Sequence, residues 1–124
     1  DDFIARRTKV ADRYDEAFES VSTIKTPVRN SRSKHVFHQY TLVLNGVDRN
    51  AMKEFLAEND VPSMIYYPIP LHEQKAYANS DFNREFDVTN ELCAKVISLP
   101  IHTEMEQDQQ EYVIDKVLEF VNKA

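Results

Sequence analysis

The sequence predicts an α+β domain, an α/β sandwich in which helices cover a small three-stranded sheet. Apolar residues recur at helical spacing over 3–20, 49–58, 88–97 and from about 104 to 122. Three shorter runs, around 36–44, 63–67 and 98–101, are rich in β-branched and aromatic residues and are stopped or confined by Gly46 or by prolines. The two kinds of segment alternate along 124 residues, one domain's worth of chain.

Residues 3–20 carry the stripe Phe3, Ile4, Arg7, Val10, Ala11, Tyr14, Ala17 and Phe18. Charged residues from Arg6 to Glu19 occupy the opposite face, so this is a long amphipathic helix that needs something to pack on. Residues 21–35 contain Pro27 and a mildly basic run and read as a loop. Within it Arg29, Arg32 and Lys34 either stay solvated or meet a phosphate. The run 36–44 is the central strand. On a period of two, Val36, His38, Tyr40, Leu42 and Leu44 share one face, and Phe37, Gln39, Thr41 and Val43 the other. His38 and Tyr40 then point the same way, about 7 Å apart. A face that begins with His and Tyr and ends with Leu and Leu runs from a wet rim into a core.

Asp48 is a good N-cap for a helix over 49–58, with Ala51, Met52, Phe55 and Leu56 inward, and Asn59-Asp60 ends it. The second extended run, Ser63 to Tyr67, is broken by Pro68 and Pro70 and belongs at an edge. Leu71 to Ala78 reads as a short helix and Asn79 to Arg84 as a loop. Asp87 caps a helix over 88–97 with the stripe Val88, Leu92, Cys93, Val96 and Ile97, and Ser98 to Ile101 is a short third strand. Thr103 and Glu106 have capping-box spacing ahead of the last helix, which buries Val113, Ile114, Val117, Leu118 and Val121.

Composition narrows the function. A net charge of -6, spread along the chain, argues against a nucleic-acid binder, which would gather a basic face. Cys93 is the only cysteine, so there is neither an intrachain disulfide nor a cysteine-based zinc site, and a cytoplasmic origin fits. The single glycine, Gly46, excludes GxGxxG and Walker A phosphate loops. No apolar run is long enough for a membrane span. The chain opens at Asp1-Asp2-Phe3-Ile4, already in the helical pattern and without an initiator Met, which reads as a piece of something larger.

No metal site is expected, since His35 and His38 fall on opposite faces of their strand. Cys93 lies on an apolar stripe and reads as packing. Tyr66-Tyr67-Pro68-Ile69-Pro70-Leu71-His72 presents two phenols and an imidazole on a backbone that two prolines stiffen, near the end of a strand where binding residues gather. It reads either as a binding segment or as a rigid edge with half-buried tyrosines.

Three motifs, in order and with matching spacing, carry a resemblance. They are His35-Val36-Phe37-His38-Gln39-Tyr40-Thr41, the run from Tyr66-Tyr67-Pro68-Ile69-Pro70-Leu71-His72 to Tyr77, and Val96-Ile97-Ser98-Leu99-Pro100-Ile101-His102. Together they resemble the C-terminal region of the DegT/DnrJ/StrS family of PLP-dependent sugar aminotransferases, over essentially the whole chain. The likeness is greatest to members that aminate a 3-keto UDP-N-acetylglucosaminuronic acid. The resemblance implies the small domain of a fold-type I aminotransferase over 1–124, with 1–20 as connecting helix. It implies pyridoxal phosphate as cofactor in the full-length enzyme, glutamate as amino donor, a nucleotide-linked keto-sugar as acceptor, and a homodimer. The family's Schiff-base lysine lies in a large domain that has no counterpart here, so Lys34, Lys75 and Lys95 fall away as candidates, no catalytic residue is expected in this stretch, and the fragment alone should neither hold PLP nor transaminate. His38 and Tyr40 match the family's His and Tyr that approach the substrate, and Tyr67 and His72 match the segment lining its entrance. The sequence departs from the family pattern at Asn59-Asp60, where glycine is usual, and at Asp87 and Thr103, where proline is frequent. The alternative is a stand-alone binding or interaction domain that kept the fold without the catalytic half.

Overall fold

The computed structural model describes residues 1–77 and 85–123. The expected loop Asn79–Arg84, and Ala78 at the end of the expected short helix, lie outside the described residues. The rest is a two-layer sandwich. Helices α1 (Asp2–Phe18), α2 (Arg49–Glu58), α3 (Asp87–Lys95) and α4 (Gln107–Lys123) accompany strands β1 (Ile24–Lys25), β2 (Tyr40–Leu44) and β3 (Val96–Leu99), and two 3-10 turns span Leu71–Glu73 and Lys75–Tyr77. The sheet order is β1-β2-β3, antiparallel throughout, with Ile24 opposite Leu44, and Tyr40, Leu42 and Val43 opposite Leu99, Ile97 and Val96.

The core lies on one face of this sheet. Alternation along β2 buries Tyr40, Leu42 and Leu44, and they meet Val10, Tyr14 and Phe18 of α1, Met52 and Leu56 of α2, and Val113, Ile114 and Val117 of α4. Each of these side chains contributes roughly 1.5–3 kcal/mol by leaving water. Polar links clamp the helices together. Arg13 of α1 meets Glu111 of α4 with two parallel 2.7 Å hydrogen bonds, and the buried Gln110 side chain donates to the Val10 carbonyl at 2.7 Å.

The α1 stripe is buried only in its second half. Val10, Ala11, Tyr14 and Phe18 are covered, while Phe3 stays 62% exposed. Helix α2 forms as its signals dictate. The Asp48 carboxylate accepts from the Asn50 and Ala51 amides. At the far end Asp60 is left-handed at φ 58, its amide bonds to the Ala57 carbonyl, and the Val61 amide bonds to that of Leu56. This is a Schellman closure, with Val61 and Leu56 supplying the apolar contact. Asp60 thus stands where a glycine is usual because the chain needs a positive φ there.

Four expectations are corrected. The central strand begins at Tyr40, because Phe37 takes a positive φ of 47 and ends the alternation. The run 63–67 gives only a bridge between Met64 and Ser98, since Pro62, Pro68 and Pro70 bring no amide hydrogen to a ladder. The third strand is instead Ile24–Lys25, two residues too short to leave a pattern. Helix α3 stops at Lys95 and buries none of its residues, so Val88 and Leu92 face outward and Val96 and Ile97 belong to β3. Asp87 is its first residue rather than its cap. Likewise Thr103 and Glu106 form no capping box; Glu106 instead stands at the N-cap position, its carbonyl accepting from the Gln110 amide. The helix starts at Gln107, and the Gln109 side chain reaches back to the Glu106 amide.

Two stability predictions arise here. The Ser63 hydroxyl is buried without a partner among the described residues. An orphaned buried hydroxyl costs about 1–3 kcal/mol. Ser63→Ala is therefore expected to leave the thermal midpoint unchanged or raise it. A fall of several degrees would show that the hydroxyl has a partner.

The second prediction concerns alkali. Burial holds the Tyr14 phenol well above its ordinary value, and burial reinforced by a hydrogen bond to Asp15 does the same for Tyr40. A raised acid keeps its proton in the fold after the unfolded chain has lost it. This contribution is complete below about pH 10 and drains away as pH rises beyond it, by at most about 1.4 kcal/mol per unit for each phenol. Urea midpoints should fall above pH 10, more shallowly in Tyr40→Phe. Identical slopes for the two proteins would refute the assignment.

Candidate functional site

The site is built from the non-regular stretch between β1 and β2 and from the proline-rich run after α2. Phe37 is buried, with its ring 6.4 Å from that of Tyr40. With both rings turned into the core, His38 and Gln39 between them are left at the surface. They open onto a hollow of about 220 Å³ whose other walls include Ser63, Met64, Tyr66 and Ser98. The Met64–Ser98 bridge, with hydrogen bonds of 3.1 and 2.7 Å, holds the proline-rich run against β3 and so closes this hollow. Ser98 is itself tied across the sheet, its hydroxyl 2.8 Å from that of Thr41.

A second, larger hollow of about 570 Å³ adjoins it. Tyr66, Tyr67, Leu71, Leu92, Cys93 and Val96 are among its walls. Tyr66 lines both hollows, and its ring lies edge-on to that of Tyr67, 5.9 Å between centroids. The surface here is apolar. Met64, Tyr67, Ile69 and Leu71 are each more than half exposed. An apolar surface with a few phenols and an imidazole at its margin suits a ligand or a covering surface that is itself mixed in character.

The four expected site residues therefore part company. His38 and Tyr67 face the two adjoining hollows. His72 sits on the first 3-10 turn, stacked on Phe86 at 4.5 Å with Glu73 3.8 Å away, and lines neither hollow. Tyr40 does not share a surface with His38. It is fully buried, and its hydroxyl donates to Asp15 at 2.7 Å. Tyr40 has no exposed surface for direct ligand contact, because it follows the buried alternation of β2, from which the turn at Phe37 separates His38. Arg29 is likewise not free for a phosphate. Its guanidinium lies 2.6 Å from both Asp12 and Asp15.

Sequence reasoning passed over Tyr66 in favour of its neighbour, although the Tyr-Tyr pair marked both. It also missed Asp15, which reads as an ordinary charge on a helix, and it offered Arg29 to solvent or a phosphate rather than to the carboxylates of α1. Every described lysine is exposed or half-buried. Lys95 pairs with Glu91, and Lys34 and Lys75 stand at the surface. None lies in an enclosed apolar site that would hold the aldehyde of pyridoxal phosphate, so the described residues do not fit that group by themselves. Among the described residues no three or more His, Cys, Asp or Glu side chains gather as a metal site, and no helix is long and apolar enough to cross a membrane.

Fold and surface together define a small α+β domain with polar side chains exposed where the central strand of an antiparallel sheet begins, beside an uncovered apolar surface. Comparison with known proteins gives the class. A model of the DegT/DnrJ/EryC1/StrS aminotransferase family matches residues 1–118, and the chain belongs to that family. It is 34% identical over 118 residues to the dTDP-3-amino-3,6-dideoxy-alpha-D-galactopyranose transaminase of Aneurinibacillus thermoaerophilus, covering 94% of this chain and 31% of that protein. It is 35% identical over 99 residues to the UDP-2-acetamido-2-deoxy-3-oxo-D-glucuronate aminotransferase of Pseudomonas aeruginosa, covering 80% of this chain and 26% of that one. The fold matches the crystal structure of S. venezuelae DesV in complex with a ketimine intermediate, with a TM-score of 0.88 at 26% identity, over 98% of this chain and 33% of that one. The chain thus spans about a third or less of the length of these relatives.

Proposed function

We propose that this chain is the C-terminal small domain, with α1 as connecting helix, of a pyridoxal-phosphate-dependent aminotransferase that moves an amino group from glutamate to a nucleotide-linked keto-sugar. The observation that carries the reading is the family match over residues 1–118 in a chain whose His38 and Tyr67 open onto adjoining hollows. The two relatives above are named for dTDP- and UDP-linked sugars, which supports a nucleotide-sugar acceptor. The second supports a UDP-linked 3-keto-N-acetylglucosaminuronic acid in particular, and the setting we propose is a surface polysaccharide or amino-sugar pathway in the cytoplasm.

When bound, the cofactor supplies the electron sink for transamination, and a domain outside these residues supplies its lysine. The residues of this chain contribute orientation. The His38 imidazole and the Tyr67 phenol hydrogen-bond the sugar nucleotide, Tyr66 forms the wall that both hollows share, and His72, outside both, makes no contact with it. Such contacts act by holding the acceptor in line, not by making or breaking a bond. The apolar surface from Met64 to Leu71 is where the cofactor-binding domain or the second subunit of a homodimer seats and excludes water.

The test is to express the complete reading frame that contains this sequence and to record the absorbance of bound pyridoxal phosphate before and after glutamate. The expected result is a cofactor band that glutamate shifts and a UDP-keto-sugar shifts back. A protein that folds but neither holds the cofactor nor responds to glutamate would overturn the reading and favour a binding domain.

A further inference from the structure

The stretch from Thr26 to Gln39 has no regular hydrogen-bonded structure, yet it carries His38. What holds it is helix α1, and one carboxylate in particular. Asp15 Oδ2 accepts from Arg29 Nη2 at 2.6 Å, near the start of the stretch. Asp15 Oδ1 accepts from the Tyr40 hydroxyl at 2.7 Å, just past its end. The same Arg29 guanidinium lies 4.7 Å from the centroid of the Phe37 ring, the residue before His38. Two further contacts fix the turn. Arg7 Nε donates to the Val36 carbonyl at 3.0 Å, and the Phe37 amide donates to His35 Nδ1 at 3.0 Å.

We propose that Asp15 is a positioning residue for the ligand site. By holding Arg29 over Phe37 with one oxygen, beside Asp12 on the other guanidinium nitrogen, and Tyr40 with the other oxygen, it alone links Arg29 to Tyr40 and so sets the direction in which His38 leaves the turn. The proposal rests on the reading that His38 contacts the acceptor. It extends that reading to α1, whose carboxylate touches neither hollow. The two oxygens have separable duties. An amide at position 15 can still accept from Tyr40 but turns an NH₂ toward Arg29, so Asp15→Asn leaves Arg29 to Asp12 alone, breaks its connection to Tyr40 and spares the Tyr40 bond. Tyr40→Phe does the reverse.

The experiment uses the enzyme of the complete reading frame and measures KM separately for the keto-sugar and for glutamate. Asp15→Asn is expected to raise the keto-sugar KM roughly tenfold, below the roughly hundredfold that a 1 Å misplacement can cost because Asp12 still pairs with Arg29, and to leave the glutamate KM unchanged. Tyr40→Phe should do the same to a smaller degree. A purely structural role would instead lower the amount of active enzyme and change neither KM. The double variant Asp15→Asn/His38→Ala should be no worse for the keto-sugar than His38→Ala alone, because residues acting through one another are not additive. If His38→Ala leaves the keto-sugar KM untouched, the underlying reading of His38 fails, and this proposal with it. If His38→Ala raises it but Asp15→Asn and Tyr40→Phe do not, the reading stands and the positioning role is overturned. Where Asp15→Asn does not fold, Arg29→Gln replaces it, with the same expectations.

Discussion

Tyr14→Ala is expected to lower the stability of this domain by about 3–5 kcal/mol, the range for truncating a large buried aromatic. Tyr14 has no exposed surface, and its ring lies 4.9 Å from that of Tyr40 and 6.0 Å from that of Phe18. Its hydroxyl donates to the Pro100 carbonyl at 2.9 Å, tying α1 to the segment that leaves β3. A domain of this size is stable by only about 5–15 kcal/mol in all, so one truncation removes a large share. Tyr14→Phe separates the two contributions. It keeps the ring and removes only the hydroxyl, at about 1 kcal/mol. Urea unfolding followed by far-ultraviolet circular dichroism gives both numbers from midpoint shifts at constant slope. A Tyr14→Ala loss below about 1 kcal/mol would mean that the ring does not pack as described. Because Tyr14 and Tyr40 are in contact, the damage should reach the His38 turn as well as the core.

What could be read from the sequence follows from where its information is local. Helix α2 was legible to the residue, since Asp48 caps it and Asn59-Asp60 marks the left-handed exit. The core face of β2 was legible from Leu42 and Leu44, because alternation needs only neighbours. The N-terminal half of the same run was misread. Its polar residues fit a strand face equally well, and the positive φ at Phe37 sits among contacts from α1 and Arg29 that are distant in sequence. For the same reason Tyr40 was rightly placed with Leu42 and Leu44, while His38 was put on that face although the turn at Phe37 leaves it at the surface. Helix α3 shows a different limit. Of its apolar stripe Val96 and Ile97 are buried in β3, while Val88 and Leu92 stay exposed among the described residues, since spacing states only that something must cover a stripe. Strand β1 gave no signal because two residues have no period.

Arg49 was the least legible residue of importance, and its removal is the second large effect expected. A cation at the first position of a helix opposes the helix dipole and would be read as a solvated charge. Here it is buried. One guanidinium nitrogen donates to the carbonyls of both Cys93 and Val96, at 2.9 and 3.0 Å, and Nε donates to Asn50 at 2.8 Å. The last carbonyls of a helix have no partner within it, so Arg49 of α2 satisfies the junction where α3 becomes β3. Hydrogen bonds from a charged donor are worth about 1.5–3 kcal/mol, and buried carbonyls left without one add to the loss. Arg49→Ala should therefore cost roughly 3 kcal/mol. Arg49→Met, which keeps an apolar stem in place, should recover only the packing part, and Arg49→Lys, a single point donor, less than half of the whole. Amide hydrogen exchange should then quicken at Leu92, Cys93 and Val96, which wall the larger hollow, before it quickens in the middle of α1. If Arg49→Met proves as stable as the parent, the guanidinium contributes nothing net. The junction beneath Tyr66 and Tyr67 would then be held by packing alone, and the larger hollow would keep its shape without the polar clamp.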